Sequence, residues 1–243
     1  MSVCNKLSKI VDTCSLDRLV DDLTLAERWA DVNRLTELRD ETVSHDWLWV
    51  VGTSEGGGMC DAEFLVAAKL RLGADHASEP MACHCCGRAM LQPDCTHALC
   101  CAPGPSRQGH DDVRDKLLDF VRLADATAEP EVLGLIASVP GLRPADKLTS
   151  ALARGRETAL DVGVASPDSQ GAGSDCLNSL RRRKMRTYAA FSADLEASRI
   201  DYRPLPWSCY GCEHPDTTAV LVAIARHAGK VAQTTSLCWR ALV

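Results

Sequence analysis

Residues 141–167 read GLRPADKLTSALARGRETALDVGVASP. They divide into two short strand candidates, 143–150 and 158–165, around a turn at Arg154-Gly155. The second strand alternates and is β-branched enough to lie inside a sheet. Asp146 falls on the first strand and Asp161 on the second, with fourteen residues between them. A hairpin can bring two such carboxylates to one sheet end, where their oxygens suit a hard divalent cation such as magnesium held against a phosphate. For an isolated pair, surface aspartates at a turn or strand end are the better explanation, so the flanking chain has to decide.

On the C-terminal side, residues 172–199 (AGSDCLNSLRRRKMRTYAAFSADLEASR) predict the longest helix, capped near Ser174 or Asp175. Leu177, Leu180, Tyr188, Phe191 and Leu195 supply its core side. Five of the six residues from 181 to 186 are basic, a run that is ordinarily a solvated face or a strip of phosphate contacts. Residues 201–207, DYRPLPW, predict a strand at a sheet edge, because proline cannot donate to a ladder. A helix over 214–229 follows. On the N-terminal side, EVLGLI at 131–136 predicts the first strand, after a helix-breaking Glu129-Pro130. Residues 110–125 carry Val113, Leu117, Leu118, Val121 and Leu123 on one face of an amphipathic helix. His110, at its start, reads as a capping or packing histidine, since nothing adjacent orients it. The order is helix, three strands, helix, strand, helix, an α/β (α+β) arrangement with a mixed sheet flanked by helices.

Thirteen cysteines are present, and six of them fall between Cys83 and Cys101, interleaved with His84 and His97. Clustering with histidine favours thiolate metal ligation over a disulfide framework. The best set in MACHCCGRAMLQPDCTHALCC is Cys83, Cys86, His97 and Cys101, with Gly87 free to close the turn after the second cysteine. Four such ligands fill a tetrahedral zinc ion, which makes the site structural. Cys85, Cys95 and Cys100 remain alternative ligands, and a metal-free cluster of reduced cysteines is the competing explanation.

Residues 1–80 are largely helical in pattern. Leu19, Val20, Leu23, Trp29, Val32 and Leu35 recur at helical spacing over 16–44, and 60–73 make a further helix closed by Gly73. Between them lie an apolar run at 46–51 and a glycine-rich turn at 54–58. The polar opening MSVCNKLSKIVDTC lacks the apolar core of a secretory signal and reads as an internal stretch of something longer. No apolar run is long enough to span a membrane, so an intracellular setting is expected. The net charge of −6 argues against indiscriminate nucleic-acid binding, although a sum hides local fields.

The order of elements, with acids on the second and third strands, resembles the PD-(D/E)XK, or restriction-endonuclease-like, fold. More closely, the chain resembles the C-terminal endonuclease part of site-specific non-LTR retrotransposon proteins, where a Cys-Cys-His-Cys zinc motif directly precedes the nuclease. The resemblance rests on CHCCG and THALCC between Cys83 and Cys101, RQGHDDVRD from Arg107, EVLGL from Glu131, and RPAD ending at Asp146. It continues through ALDVGVASP around Asp161, RKMRTY ending at Tyr188 and YRPLPWSCYGCEHPD from Tyr202, about 130 residues in fixed order.

The resemblance implies that Asp146 and Asp161 bind catalytic magnesium, with Ala145 separating Asp146 from Pro144 where the family joins them. It implies an additional acid at Glu131, with Glu129 a competitor. The commonest motif places a lysine two residues beyond the second acid, and that position is Gly163. Retrotransposon members place the lysine on the following helix, which assigns the role to Lys184. Arg181, Arg182, Arg183 and Arg186 become contacts to the DNA backbone, and Tyr188 a packing or phosphate-touching residue. The implied organisation is a helical linker over 1–80, a zinc module over 81–106, a nuclease domain over 107–232 and a tail over 233–243. DNA is the implied partner, with the element's RNA, the reverse transcriptase region of a longer polyprotein and a nuclear setting beside it. A zinc-stabilised nucleic-acid-binding module with a decayed site, or a helical interaction domain, are the alternatives.

Overall fold

The structure, a computed structural model, describes residues 3–39, 43, 60–101, 105–153, 155–167 and 175–229. The expected apolar run at 46–51, the turn at 54–58, the Ser174 cap and the tail at 233–243 lie outside the described residues. Helix α1 (Val3–Leu25) begins well before the pattern at 16–44 suggests, and α2 (Trp29–Leu38) follows a break at Glu27, whose φ is 55°. Helix α3 (Asp61–Leu72) closes on the left-handed Gly73, as its sequence implies. Arg34 of α2 donates to the Arg71 carbonyl at 2.7 Å. It occupies the space beside Gly73, where a Cβ would sit 2.3 Å from the guanidinium.

Two short antiparallel strands, β1 (Met81–Ala82) and β2 (Met90–Leu91), and a 3-10 turn at Thr96–Leu99 form the cysteine-rich unit. Helix α4 (Pro105–Arg122) then starts five residues ahead of the helix expected from 110. Pro105 stands at the first helical position, where a fixed φ suits a helix start. Next come β3 (Glu129–Pro130), β4 (Lys147–Ala153), β5 (Arg156–Ala165), α5 (Cys176–Ala189), α6 (Ser192–Ala197), β6 (Ile200–Ser208) and α7 (Pro215–His227).

Three expected elements are corrected. The strand expected over 143–150 is Lys147–Ala153, which leaves Asp146 just ahead of it. The first strand is Glu129–Pro130 and not 131–136, because Glu131 and Gly134 take positive φ values of 47° and 77° and bend the chain out of the ladder. Leu135 and Ile136 are buried all the same, so the apolar run reports core packing without a strand. The helix expected over 172–199 is two helices. Phe191 donates its backbone N–H to the Tyr188 carbonyl in a tight turn, and α6 starts again from there.

The sheet order is β3-β4-β5-β6, antiparallel except for the parallel β5–β6 pair. The proline-marked β6 is at the edge, as expected, and β5 is central. One face packs Leu160, Val162 and Leu205 against Leu117 and Val121 of α4 and Leu221 and Ile224 of α7. The other packs Ala159 and Ile200 against Leu195 of α6, with Tyr188, Phe191 and Tyr202 beside them. At about 25 cal/mol per Å2 of apolar surface, such side chains contribute roughly 1.5–3 kcal/mol each, enough to fix the register. This is a mixed α/β architecture with helices on both sheet faces, and β5 is packed by both α4 and α5.

Candidate functional site

The cysteine-rich unit is built by local turns. Gly87, at φ 62°, donates its N–H to the Cys83 carbonyl at 2.8 Å, and Cys83 donates to the Ala89 carbonyl at 2.9 Å. The backbone amides of Arg88 and Ala89 point at the Cys86 sulfur and bring that thiol down to about 6. The 3-10 turn after the left-handed Cys95 carries His97, and Cys101 follows. Donor atoms of Cys83, Cys86, His97 and Cys101 all lie within 4.8 Å of one another. Cys83 Sγ is 3.6 Å from Cys101 Sγ, and Cys86 Sγ is 3.4 Å from His97 Nε2. A tetrahedral ion with metal–sulfur bonds of about 2.3 Å has edges of about 3.8 Å, so the donors fit a metal such as zinc. The alternative ligands fall aside: none of Cys85, Cys95 and Cys100 joins this cluster, Cys85 is exposed, and the Cys100 thiol donates to the His97 carbonyl at 3.4 Å.

The second cluster is assembled across the sheet. The β4–β5 register pairs Lys147 with Leu160, and the Asp146 N–H donates to the Leu160 carbonyl at 2.9 Å, which brings Asp146 opposite Asp161. Asp146 Oδ2 accepts the Val162 N–H at 2.7 Å. Lys184 reaches from α5 and donates to Asp161 Oδ1 at 2.6 Å and to the Val162 carbonyl at 2.7 Å. His110 of α4 comes from the other side, with Nε2 3.2 Å from the same carbonyl and 3.8 Å from Asp146 Oδ2. The Tyr202 hydroxyl donates to Asp161 Oδ2. Burial and then the charge of Asp161 push the Asp146 carboxyl above the usual range, the behaviour of two acids sharing a confined space. Burial and the same charge push the Tyr202 phenol up, so it remains a donor.

Gly163 explains how a helix lysine reaches this point. A Cβ there would lie 2.6 Å from Lys184 Cε and 2.8 Å from Leu180 Cδ2. The glycine that removes the lysine from the strand also provides the channel through which Lys184 crosses it. Asp161 therefore stands between two small residues, Ala159 and Gly163, on the strand face toward α5.

No family model, curated protein or solved structure matches this chain. The site is accordingly read from its own geometry. Asp146, Asp161 and Lys184 are brought together. Glu131 stands apart in its bonds, since its carboxylate pairs with Arg114 at 2.7 Å and Arg143 at 2.8 Å, and Glu129 is exposed on β3. Arg181 donates to Asp216 at 2.6 Å, whereas Arg182, Arg183 and Arg186 are exposed on α5. Tyr188 packs against Tyr202 and donates to the Arg143 carbonyl at 3.0 Å. Sequence reasoning missed His110 and Tyr202. The signal for Tyr202 was the small–acid–small pattern of 159–163, which leaves room around a carboxylate; for His110 the one local signal was the adjacent Asp111, whose Oδ1 lies 3.4 Å from Nδ1, while its other partners lie on β5 and ahead of β4. No helix among the described residues is long and apolar enough to cross a membrane.

Proposed function

We propose that this chain is a metal-dependent DNA endonuclease, the zinc-motif and restriction-like part of a site-specific non-LTR retrotransposon protein. The observation that carries this is the Lys184 ammonium, 2.6 Å from Asp161 Oδ1 and threaded through the space left by Gly163 to a point where Asp146 and Asp161 face each other. Two carboxylates and a lysine gathered beside the start of β4 are the parts that phosphodiester hydrolysis needs.

Asp146 and Asp161 would hold magnesium, and the fit is chemical: both offer hard oxygen donors, and the crowding that raises Asp146 is relieved by a divalent cation. When bound, the ion would neutralise phosphate charge and lower the pKa of the attacking water. The Lys184 ammonium would orient that water from the Asp161 side and offset charge on the oxygens of the pentavalent phosphate. Val162 holds Asp146 through its N–H and holds Lys184 and His110 through its carbonyl, so the backbone of one residue sets three side chains. The exposed Arg182, Arg183 and Arg186 continue from Lys184 along α5 as backbone contacts to DNA. Zinc at Cys83, Cys86, His97 and Cys101 has a full set of protein ligands, which makes its role structural. A nuclear protein acting beside a reverse transcriptase region and the element's RNA completes the proposal.

The test is nicking of supercoiled plasmid in magnesium. Wild-type protein should produce open circles, and a D146A/D161A protein should leave the plasmid supercoiled. Equal nicking by the two would remove both the metal assignment and the enzyme class.

A further inference from the structure

Two tyrosines are built against the acidic centre. Lys184 takes one oxygen of Asp161 and the Tyr202 hydroxyl takes the other. Tyr202 pairs with Ala159 in the parallel β5–β6 register, which puts its side chain on the same sheet face as Asp161. Its ring lies against Tyr188, with centroids 4.6 Å apart and planes at 47°. Tyr188 in turn donates its hydroxyl to the Arg143 carbonyl at 3.0 Å. Arg143 leads directly into Pro144, Ala145 and Asp146. The Arg143 side chain is tied to Glu131 at 2.8 Å, and the Glu131 N–H donates to the Asp146 carbonyl at 2.9 Å. A continuous path of contacts thus runs from the Asp161 carboxylate, through two rings, to the loop that carries Asp146.

We infer that Tyr202 is a positioning residue for Asp161 and that Tyr188 couples it to the Asp146 loop, so the tyrosine pair sets the spacing and orientation of the two carboxylates toward a divalent cation. The inference rests on the nuclease proposal. A tyrosine that only filled the core would satisfy its hydroxyl with a nearby carbonyl or water. Tyr202 instead holds the second oxygen of a carboxylate whose first oxygen is held by Lys184, which fixes the plane of the group. Without that hydroxyl Asp161 is free to turn about its terminal torsion, which is broad and readily rotated, and to close onto Lys184. Asp146 is held by backbone and by the Arg143 loop, so Tyr188 acts at longer range.

The Tyr202→Phe and Tyr188→Phe proteins keep both rings and lose one hydroxyl each. They are compared with wild type in plasmid nicking with magnesium and, without DNA, in calorimetric titration with manganese. Tyr202→Phe should lower kcat about tenfold or more and weaken manganese binding by a similar factor, with KM for plasmid within about twofold. Tyr188→Phe should do the same to a smaller extent, and the double variant should lose less than the product of the two single losses. Melting temperatures are recorded in parallel; if Tyr202→Phe melts early, Tyr188→Phe carries the comparison, and wild-type kcat and manganese affinity in that protein overturn the inference. Wild-type values for a stable Tyr202→Phe protein overturn it while leaving the nuclease proposal standing. A wild-type protein that neither nicks nor binds manganese removes both.

Discussion

The Cys/His knuckle, whose donors fit a metal, and the acidic centre, for which we propose magnesium, are built from different lengths of chain. All four donors of the knuckle lie between residues 83 and 101, and turns of a few residues aim them. The acidic centre draws His110 from α4, Asp146 from ahead of β4, Asp161 from β5, Lys184 from α5 and Tyr202 from β6. A local site stands or falls with its ligands. A distributed site depends as well on register and on small residues that never touch the chemistry.

The largest effect should come from breaking the knuckle. Structural zinc supplies binding free energy of about 10–16 kcal/mol in small zinc modules. Cys83→Ser should therefore abolish stoichiometric zinc in elemental analysis and remove amide protection over 81–101. Protection of β4 and β5 should survive, since their ladders are made elsewhere; simultaneous opening would show that the two regions are not independent.

Gly163→Ala tests the distributed site. The added methyl meets Lys184 Cε at 2.6 Å and Leu180 Cδ2 at 2.8 Å, so the lysine has to leave Asp161. Overpacking of this kind costs about 1–3 kcal/mol in stability, whereas nicking should fall about tenfold or more. A fall in melting temperature with undiminished nicking would mean that Lys184 is not needed where it sits.

Two carboxylates, the buried Asp125 and the half-buried Asp146, should respond oppositely to neutralisation. Burial raises the Asp125 carboxyl, but hydrogen bonds from Thr127, Thr149 and Ser150 outweigh it and hold the group well below its usual range. A depressed pKa contributes stability that is present above about pH 4 and is lost as pH falls through the folded value. Asp125→Asn should thus lower stability at neutral pH by about 1–3 kcal/mol. Asp146 has the opposite sign, because its raised pKa means that ionisation costs stability above the folded value and the cost is relieved as pH falls through it. Without divalent metal, Asp146→Asn should raise the melting temperature by a few degrees. Thermal melts of the two variants from pH 7 to pH 3 check both signs. The smallest effect is expected for His110→Ala, which removes one contact to the Val162 carbonyl and should slow nicking about threefold to tenfold in plasmid assays.

What could be read from sequence follows the same division. The knuckle ligands were legible because Cys-x2-Cys and His-x3-Cys are local spacings that one turn converts into geometry. The hairpin was legible from alternation, and Gly155, at φ 70°, closes it where the turn was expected. The apolar run at 131–136 misled because burial of Leu135 and Ile136 does not require a strand, and two positive φ values break the ladder. The helix over 172–199 misled because an apolar periodicity persists across the Ala190–Phe191 break: Leu195 packs in the same core as Phe191. Gly163 read as the loss of a lysine, and only its contacts with Lys184 and Leu180 give it a purpose. His110 was misread because only Asp111 lies beside it in sequence, while the Val162 carbonyl and Asp146 are brought to it by the fold.

Lys184→Ala provides the most direct measurement on the acidic centre. Its rate of supercoiled plasmid nicking in magnesium is compared with wild type at matched DNA affinity. Loss of nicking by about a hundredfold or more with plasmid binding retained is the expected result, because the only ammonium that reaches Asp161 among the described residues has been removed. Nicking at the wild-type rate would contradict the assignment of a helix-borne lysine to this site.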